Sequence, residues 1–414
     1  MVVGKVNPEG ILLEQDVISV IEEGTPVERF ERKRVLVLTP DATRTCPLPM
    51  MVRALRKTIG TRCERLDFMV ALGTHTPMSE ESILALYGIA DQSQGFDASR
   101  FYNHEWARQD TFRRLGTLEP REVEELSEGL LKEEVPIEIN KRIFDYDLIL
   151  IVGPVFPHEV VGYSGGAKYL FPGISGGEFL HFFHWLGAVI TCKKIIGIKD
   201  TPVRRMVDRA MDKVPVPIHC LAMVVKGETG LCGLYAGDVK EAWSKAADLS
   251  STTHIVTKKN PFKVVLGRAP AMYDEIWTAG KVMYKLEQVV ADQGTLIIYG
   301  PHIKEISRSW GNYIERAGYH TRDYFLAQME KFRGVPRGVL AHLTHVRGTG
   351  TYRNGMERCD VNLVLATSIP ESLCRRINLG YMDPSKLEIR DYVNKEDQGI
   401  LFVDHAGETL YRLE

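Results

Sequence analysis

Two histidines in this sequence, His75 and His158, each stand a few residues beyond an apolar run that reads as a β-strand, DFMVAL and DLILIV. Loops leaving neighbouring strands converge, and imidazole titrates near neutral pH. Such a pair suits proton transfer on either side of one substrate. Asp41 and Arg44 share the loop DATRTCPLP, which follows a third such run, RVLVLTP. The arginine fork matches a carboxylate, and the plain alternative is an Asp–Arg clamp within the loop. Between Gly153 and Gly177 the chain is rich in Gly and Pro yet keeps aromatic and apolar residues, so it is no disordered linker. Gly162, Gly165 and Gly166 permit close backbone approach, and their amides can cradle a phosphate. The run is neither G-x-G-x-x-G nor a P-loop, because G-G-A-K lacks the spacing and the following Ser or Thr. Lys168 reads as a phosphate counter-ion or, if desolvated, a covalent attachment point. Composition alone favours a surface lysine in a turn. His181 and His184 lie at i, i+3 in EFLHFFHW, on one side of a helix, and imidazole suits zinc, copper and nickel. The aromatic neighbours equally fit a core helix, the better reading for His181.

These residues need a scaffold that brings several loops to one end of a sheet. The sequence supplies one. Arg34–Pro40 reads as a buried strand and Pro49–Ile59 as the helix after it; Asp67–Leu72 is a strand, followed by a helix over Ser79–Tyr87 that opens with Ser-x-x-Ser. Asp147–Val152 and His219–Val225 repeat the strand pattern. Strand, loop and helix in alternation predict an α/β fold with a largely parallel sheet, covered on both faces. Chemistry in such folds gathers beyond the carboxyl ends of the strands. A polar stretch, THIVTKKNP, marks a boundary near Thr253–Pro261. Beyond it KVVLG, TLIIYG, VLAHL and VNLVLAT read as strands of a second α/β domain.

The 414 residues exceed one typical domain, and the net charge of −2 argues against a polyanion or acidic-membrane partner. Seven scattered cysteines form no CxxC pair, which speaks against a zinc ribbon, an iron–sulfur site or a disulfide framework. The N-terminal MVVGKVNPEGILLEQD has no secretory pattern, and no apolar stretch is long enough for a bilayer. A cytoplasmic protein with no nucleic-acid or membrane partner is expected.

Read together, DATRTCPLP, GTHTPMSEE and PHEVVGYSGGAKYLFPG, followed by a helix carrying His184, resemble the nickel-pincer lactate racemase family. Four segments in the right order carry the resemblance; the second domain matches more loosely. It implies two α/β domains with the active cleft between them. The cofactor-binding domain would be 1–254 plus 402–414, and the domain closing over the substrate 255–401. It also implies a nickel-pincer nucleotide, a pyridinium-3-thioamide-5-thiocarboxylate mononucleotide holding nickel, joined to Lys168 through the thioamide. His184 would be the protein's ligand to nickel. Asp41, Thr43, Gly165 and Gly166 would lie beside the nucleotide or the substrate. The implied reaction inverts C2 of a 2-hydroxy acid by reversible hydride transfer, with His75 and His158 serving the hydroxyl in its two orientations. Arg44 would anchor the carboxylate, and Lys281 in WTAGKVMYK would reach the substrate, unless it is a helix-surface lysine. Cofactor-biosynthesis enzymes would be partners. Thr278 stands where the lactate enzyme has Gln, with Trp277 before it, so a substrate other than lactate is expected. Two rival readings follow from the residues: a zinc hydrolase or lyase using His75, His104 and His158, and a cofactor-binding protein without turnover.

Overall fold

A computed structural model describes residues 2–89, 99–227 and 230–414. Its contacts divide the chain into two compact units. The first is Met1–Phe156, Tyr163–Leu180 and Arg204–Thr253; the second is Pro157–Gly162, His181–Val203 and His254–Glu414.

In the first unit seven strands form one sheet, in the order Val3–Val6, Gly230–Gly237, Ile218–Lys226, Leu148–Pro154, Arg34–Thr39, Arg65–Val70, Phe101–Asn103. From Ile218–Lys226 to Phe101–Asn103 every neighbour runs parallel; the first two strands complete the sheet antiparallel. The Val, Leu and Ile runs of Arg34–Thr39 and Leu148–Pro154 are buried nearly throughout, as expected for strands covered on both faces. Helix Leu48–Thr58 puts Met51, Val52, Ala54 and Leu55 into the core, against Val35, Val37 and Phe68. Ser79 caps helix Glu80–Tyr87 by accepting from the Ser82 amide at 3.1 Å, and Gly88, with φ +68, ends it in the left-handed region.

Strand Leu148–Pro154 contains a glycine for a steric reason. A Cβ on Gly153 would stand 1.9 Å from the Tyr169 hydroxyl, so Tyr169 lies directly against the strand backbone. Gly153→Ala should therefore destabilise folding by about 1–3 kcal/mol through overpacking. Urea denaturation of the full chain measures this, and an unchanged midpoint would show that the ring moves aside freely.

The second unit holds a five-stranded, all-parallel sheet, ordered Gly380–Tyr381, Val361–Thr367, Val290–Gly300, Phe262–Arg268, Ile400–Val403. VLAHL, expected as a strand, is instead part of helix Arg337–Arg347, entered after Pro336 and closed by Gly348 at φ +82. Gly338 through Val346 are all buried. A helix buried on every side shows no polar face, so its apolar run cannot be told from a core strand by periodicity. The grouping of residues also differs from the expected division at the C-terminus. Ile400–Val403 extends the second sheet and Leu410–Leu413 pairs with Ile255–Lys258, so residues 402–414 fall with the second unit. Among the described residues no helix is long and apolar enough to cross a membrane.

Candidate active site

In the first unit, strand Arg34–Thr39 delivers Asp41, Thr43 and Arg44, and its neighbour Arg65–Val70 delivers His75. Parallel pairing brings both loops out at the same end, and the side chains meet there. His75 Nδ1 lies 2.5 Å from Asp41 Oδ2. A carboxylate can only accept, so Nδ1 carries the hydrogen and Nε2 keeps the lone pair, the arrangement a general base requires. The other Asp41 oxygen accepts from the Thr43 amide at 3.0 Å and the Thr43 hydroxyl at 2.7 Å. The His75 backbone is fixed as well: its carbonyl accepts from Trp106 Nε1 at 2.9 Å. Arg44, half-buried in the same loop, forms no hydrogen bond or ion pair among the described residues, so its fork is open to a ligand.

The Gly-Gly-Ala-Lys turn is clamped from below. Trp243 donates to the Ser164 carbonyl at 2.9 Å; Arg204 stacks on Trp243 at 4.0 Å and donates to the Tyr163 carbonyl at 2.5 Å. Gly165 and Gly166 have φ +79 and +58, and a Cβ on either would meet Val155 at 2.7 Å or Trp243 at 3.0 Å. Their lack of side chains is thus required by packing as well as by conformation. The short 3-10 turn Gly166–Tyr169 then presents Lys168, half-buried, beside Tyr169. Burial, then Cys46, Arg44 and Asp41, set the electrostatic surroundings of the Tyr169 phenol, which is pushed well above its ordinary pKa. The turn and the Asp41–Arg44 loop are therefore neighbours.

His104 does not join this group. It is buried, its Nδ1 accepts from the Asn140 amide at 3.1 Å, and burial lowers its pKa to about 4. Among the described residues no three His, Cys, Asp or Glu side chains are placed to hold a metal ion, so the His75, His104, His158 zinc reading lacks a ligand set.

In the second unit, His158 is 3% exposed. The Val160 amide donates to its Nδ1 at 3.2 Å, while Glu159 Oε2 stands 3.3 Å from the same nitrogen. The first contact needs the Nδ1 lone pair and the second an Nδ1 hydrogen, so each tautomer has a partner, and with the hydrogen on Nδ1 toward Glu159 the neutral ring keeps its lone pair on Nε2. Lys285, buried and unremarked in the sequence, donates to the Pro157 carbonyl and so anchors the residue before His158. Helix Gly177–Ile190 carries His181 and His184, both half-buried. A Cβ on Gly338 would come within 2.7 Å of His181 Nδ1. Trp310 stands edge-on to His181 at 6.3 Å and 6.2 Å from Trp277, which stacks on His342 at 4.1 Å. Burial, then His345 and His184, lower the His342 pKa to about 3, so that ring is neutral and lies within electrostatic reach of His184. Thr278 is buried, its hydroxyl bonded to the Glu275 carbonyl at 3.0 Å. Lys281 is also buried, its ammonium 4.6 Å from the centre of the Tyr273 ring, so it is no surface lysine. Trp310 and His342 were missed in the sequence because their partners in this cluster lie far along the chain.

The family model described as the lactate racemase N-terminal domain matches residues 24–195, a span that holds Asp41, His75, His158, Lys168 and His184. Residues 24–195 thus match the lactate racemase N-terminal domain family. A lactate racemase of Thermoanaerobacterium thermosaccharolyticum is 24% identical over 273 residues, 64% of this chain and 59% of that protein. The chain thus spans about three-fifths of the length of the curated relative it matches. A crystal structure of a Thermotoga maritima protein is 33% identical, with a TM-score of 0.89 over 98% of this chain and 99% of that one. The lactate racemase apoprotein of T. thermosaccharolyticum, at 18% identity, shares the fold with a TM-score of 0.73 over 97% and 94% of the two chains. The shared fold agrees with a mixed α/β architecture built on mostly parallel sheets.

Proposed function

We propose that this protein racemises or epimerises C2 of a 2-hydroxy acid, and that a nickel-pincer nucleotide is its cofactor. The Asp41–His75 pair carries the reading, because a base held in one tautomer at the end of a parallel sheet has a chemical use and little structural one. Arg44 would take the substrate carboxylate with its open fork. His75 would accept the hydroxyl proton in one substrate orientation and His158 in the other; Lys281 would steady the oxygen. Glu159 would hold the His158 imidazolium, as Asp41 would hold that of His75.

The residues fit the cofactor in its two protein attachments. Lys168 presents a half-buried amine on a rigid turn, and His184 a half-buried imidazole whose neutral neighbour His342 adds no competing charge. One nitrogen beside sulfur donors suits Ni(II). When bound, the group supplies a two-electron acceptor for the hydrogen on C2. Thr43, Gly165 and Gly166 are explained by contacts within the protein, and their role toward the nucleotide rests on the resemblance.

Specificity should depart from lactate. Trp277, stacked on His342, and Thr278, whose hydroxyl is engaged by backbone, make a bulkier and less hydrogen-bonding wall than a glutamine would. Expected is turnover of a 2-hydroxy acid larger than lactate, with the carboxylate and 2-hydroxyl mandatory. A site built to pair polar groups rejects analogues lacking them far more strongly than it rejects a changed methylene. The test is a panel of single-enantiomer 2-hydroxy acids, sugar acids included, run in deuterium oxide on cofactor-loaded enzyme with chiral separation. Lactate as the best substrate would refute the specificity, and full deuterium at C2 would refute hydride transfer.

Asp41 itself gives a sharper test of the His75 arrangement. Asp41→Asn removes an obligate acceptor and allows the amide to donate to Nδ1, which reverses the tautomer. Turnover should fall by about 10²-fold, within the general-base contribution. Nitrogen-15 NMR of the ring should show the hydrogen moving to Nε2; an unchanged tautomer with unchanged turnover would make the pair structural.

A further inference from the structure

A cavity of about 290 Å³ lies wholly within the second unit. Cys192, Lys193, Lys194, Glu287, Thr344 and His345 are among its lining residues, and none of the residues named above for cofactor or substrate is. Two of its lining residues each carry a buried polar atom with no partner among the described residues, Thr344 Oγ1 and His345 Nε2. Native proteins rarely leave one such atom unmet, so two in residues lining one cavity make its surroundings unusually polar. Burial keeps His345 neutral, with a pKa lowered to about 4, so it offers a hydrogen bond and no charge.

The charges have a direction. Glu287 is 1% exposed, and one of its oxygens accepts from the Thr349 amide at 2.7 Å and the Thr349 hydroxyl at 2.9 Å. Burial raises its pKa, and Lys193 acts the other way. At the rim Lys193 and Lys194 are exposed and form no ion pair among the described residues. The other charged lining groups are already matched, Arg322 to Asp323 at 2.8 Å and Asp360 to Arg358 at 3.1 Å. Thr191, also lining the cavity, has φ +91, a strained conformation for a β-branched residue and one that clusters at ligand sites.

We propose that this cavity binds a small carboxylic acid carrying an amino or hydroxyl group, its carboxylate at Lys193 and Lys194 and its donor at Glu287. The floor accepts and the rim attracts anions, so neither a simple anion nor a simple amine satisfies both ends. The volume lies at the lower limit of ligand pockets, which restricts the ligand to a few heavy atoms. The site stands independently of the reaction proposed above.

The probe is L-serine, titrated calorimetrically into the full chain, with acetate and ethanolamine as single-ended controls. One L-serine per chain should bind with Kd of about 1 mM or tighter. Each control should bind at least about tenfold more weakly, since each leaves one charged end of the site unmatched. Glu287→Gln and, separately, Lys193→Ala with Lys194→Ala should each weaken L-serine at least about tenfold, and the rim variant carries no risk to folding because both lysines are exposed. Arg44→Ala, in the other unit, should leave L-serine binding unchanged. Absence of binding, binding that survives both sets of substitutions, or binding lost with Arg44→Ala would overturn the proposal.

Discussion

A Lys168→Ala chain, produced beside the cofactor-synthesis enzymes, should gain no covalent mass and show no turnover, while the unaltered chain gains one discrete adduct on the Lys168 peptide. The substitution isolates chemistry from folding. Lys168 is half-buried on a turn whose rigidity comes from other residues: Trp243 below it, Arg204 on Trp243, and Tyr169 against Gly153. Lys168 is not among those side chains, and its removal should change stability by no more than about 1 kcal/mol. Intact mass, peptide mapping and a thermal melt on the same sample decide the matter. An adduct on a different lysine would remove Lys168 from the site, and a collapsed melt would mark it as structural. His184→Ala gives the complementary result, with the adduct retained and nickel lost.

His75→Ala and His158→Ala should each reduce turnover by at least about 10²-fold, the usual scale for a positioned acid or base. Both should still acquire the adduct. The two losses arise from different surroundings. His75 is held by a carboxylate that fixes one tautomer, so its removal leaves Asp41 without the imidazole. His158 has the Val160 amide or Glu159 at Nδ1, according to which ring nitrogen carries the hydrogen. In the proposed racemisation both act in every turnover, one in each substrate orientation, so neither variant should keep one direction at full rate. Initial rates from each enantiomer of the preferred substrate measure this. Near-complete activity in both directions for either variant would make that histidine structural.

The parts of the fold legible in sequence are those with local signals. RVLVLTP and DLILIV are apolar runs rich in β-branched residues, the first ending in Pro and the second followed by Gly, and they became strands within a residue or two of the expected bounds. Ser79 opened its helix as expected, because an N-cap is local chemistry. VLAHL misled, since full burial erases the periodicity that separates a helix from a strand. Asp41 and His75 were both legible as candidates, yet their partnership was not, because 34 residues separate them and only strand pairing brings their loops together. Lys285 gave even less warning. Its carbonyl partner is 128 residues away, and nothing about the second lysine of KVMYK distinguishes it from a solvent-facing one. The cavity around Glu287 and His345 draws on segments near 192, 287, 345 and 360, and no motif spans such distances.

Each compact unit is assembled from three separate stretches of chain. During synthesis, residues 157–162 and 181–203 emerge long before the stretch from 254 onward with which they share a unit. They must wait, partly apolar and uncovered, for most of the second half of the polypeptide. Such delayed, long-range closure slows folding and exposes the chain to aggregation. It also frustrates dissection of the protein. Cutting after residue 253 gives a front piece that still carries two segments of the other unit without their core, and a back piece that lacks them. Neither piece is a continuous length of chain that holds one unit entire, so a cut at residue 253 isolates neither.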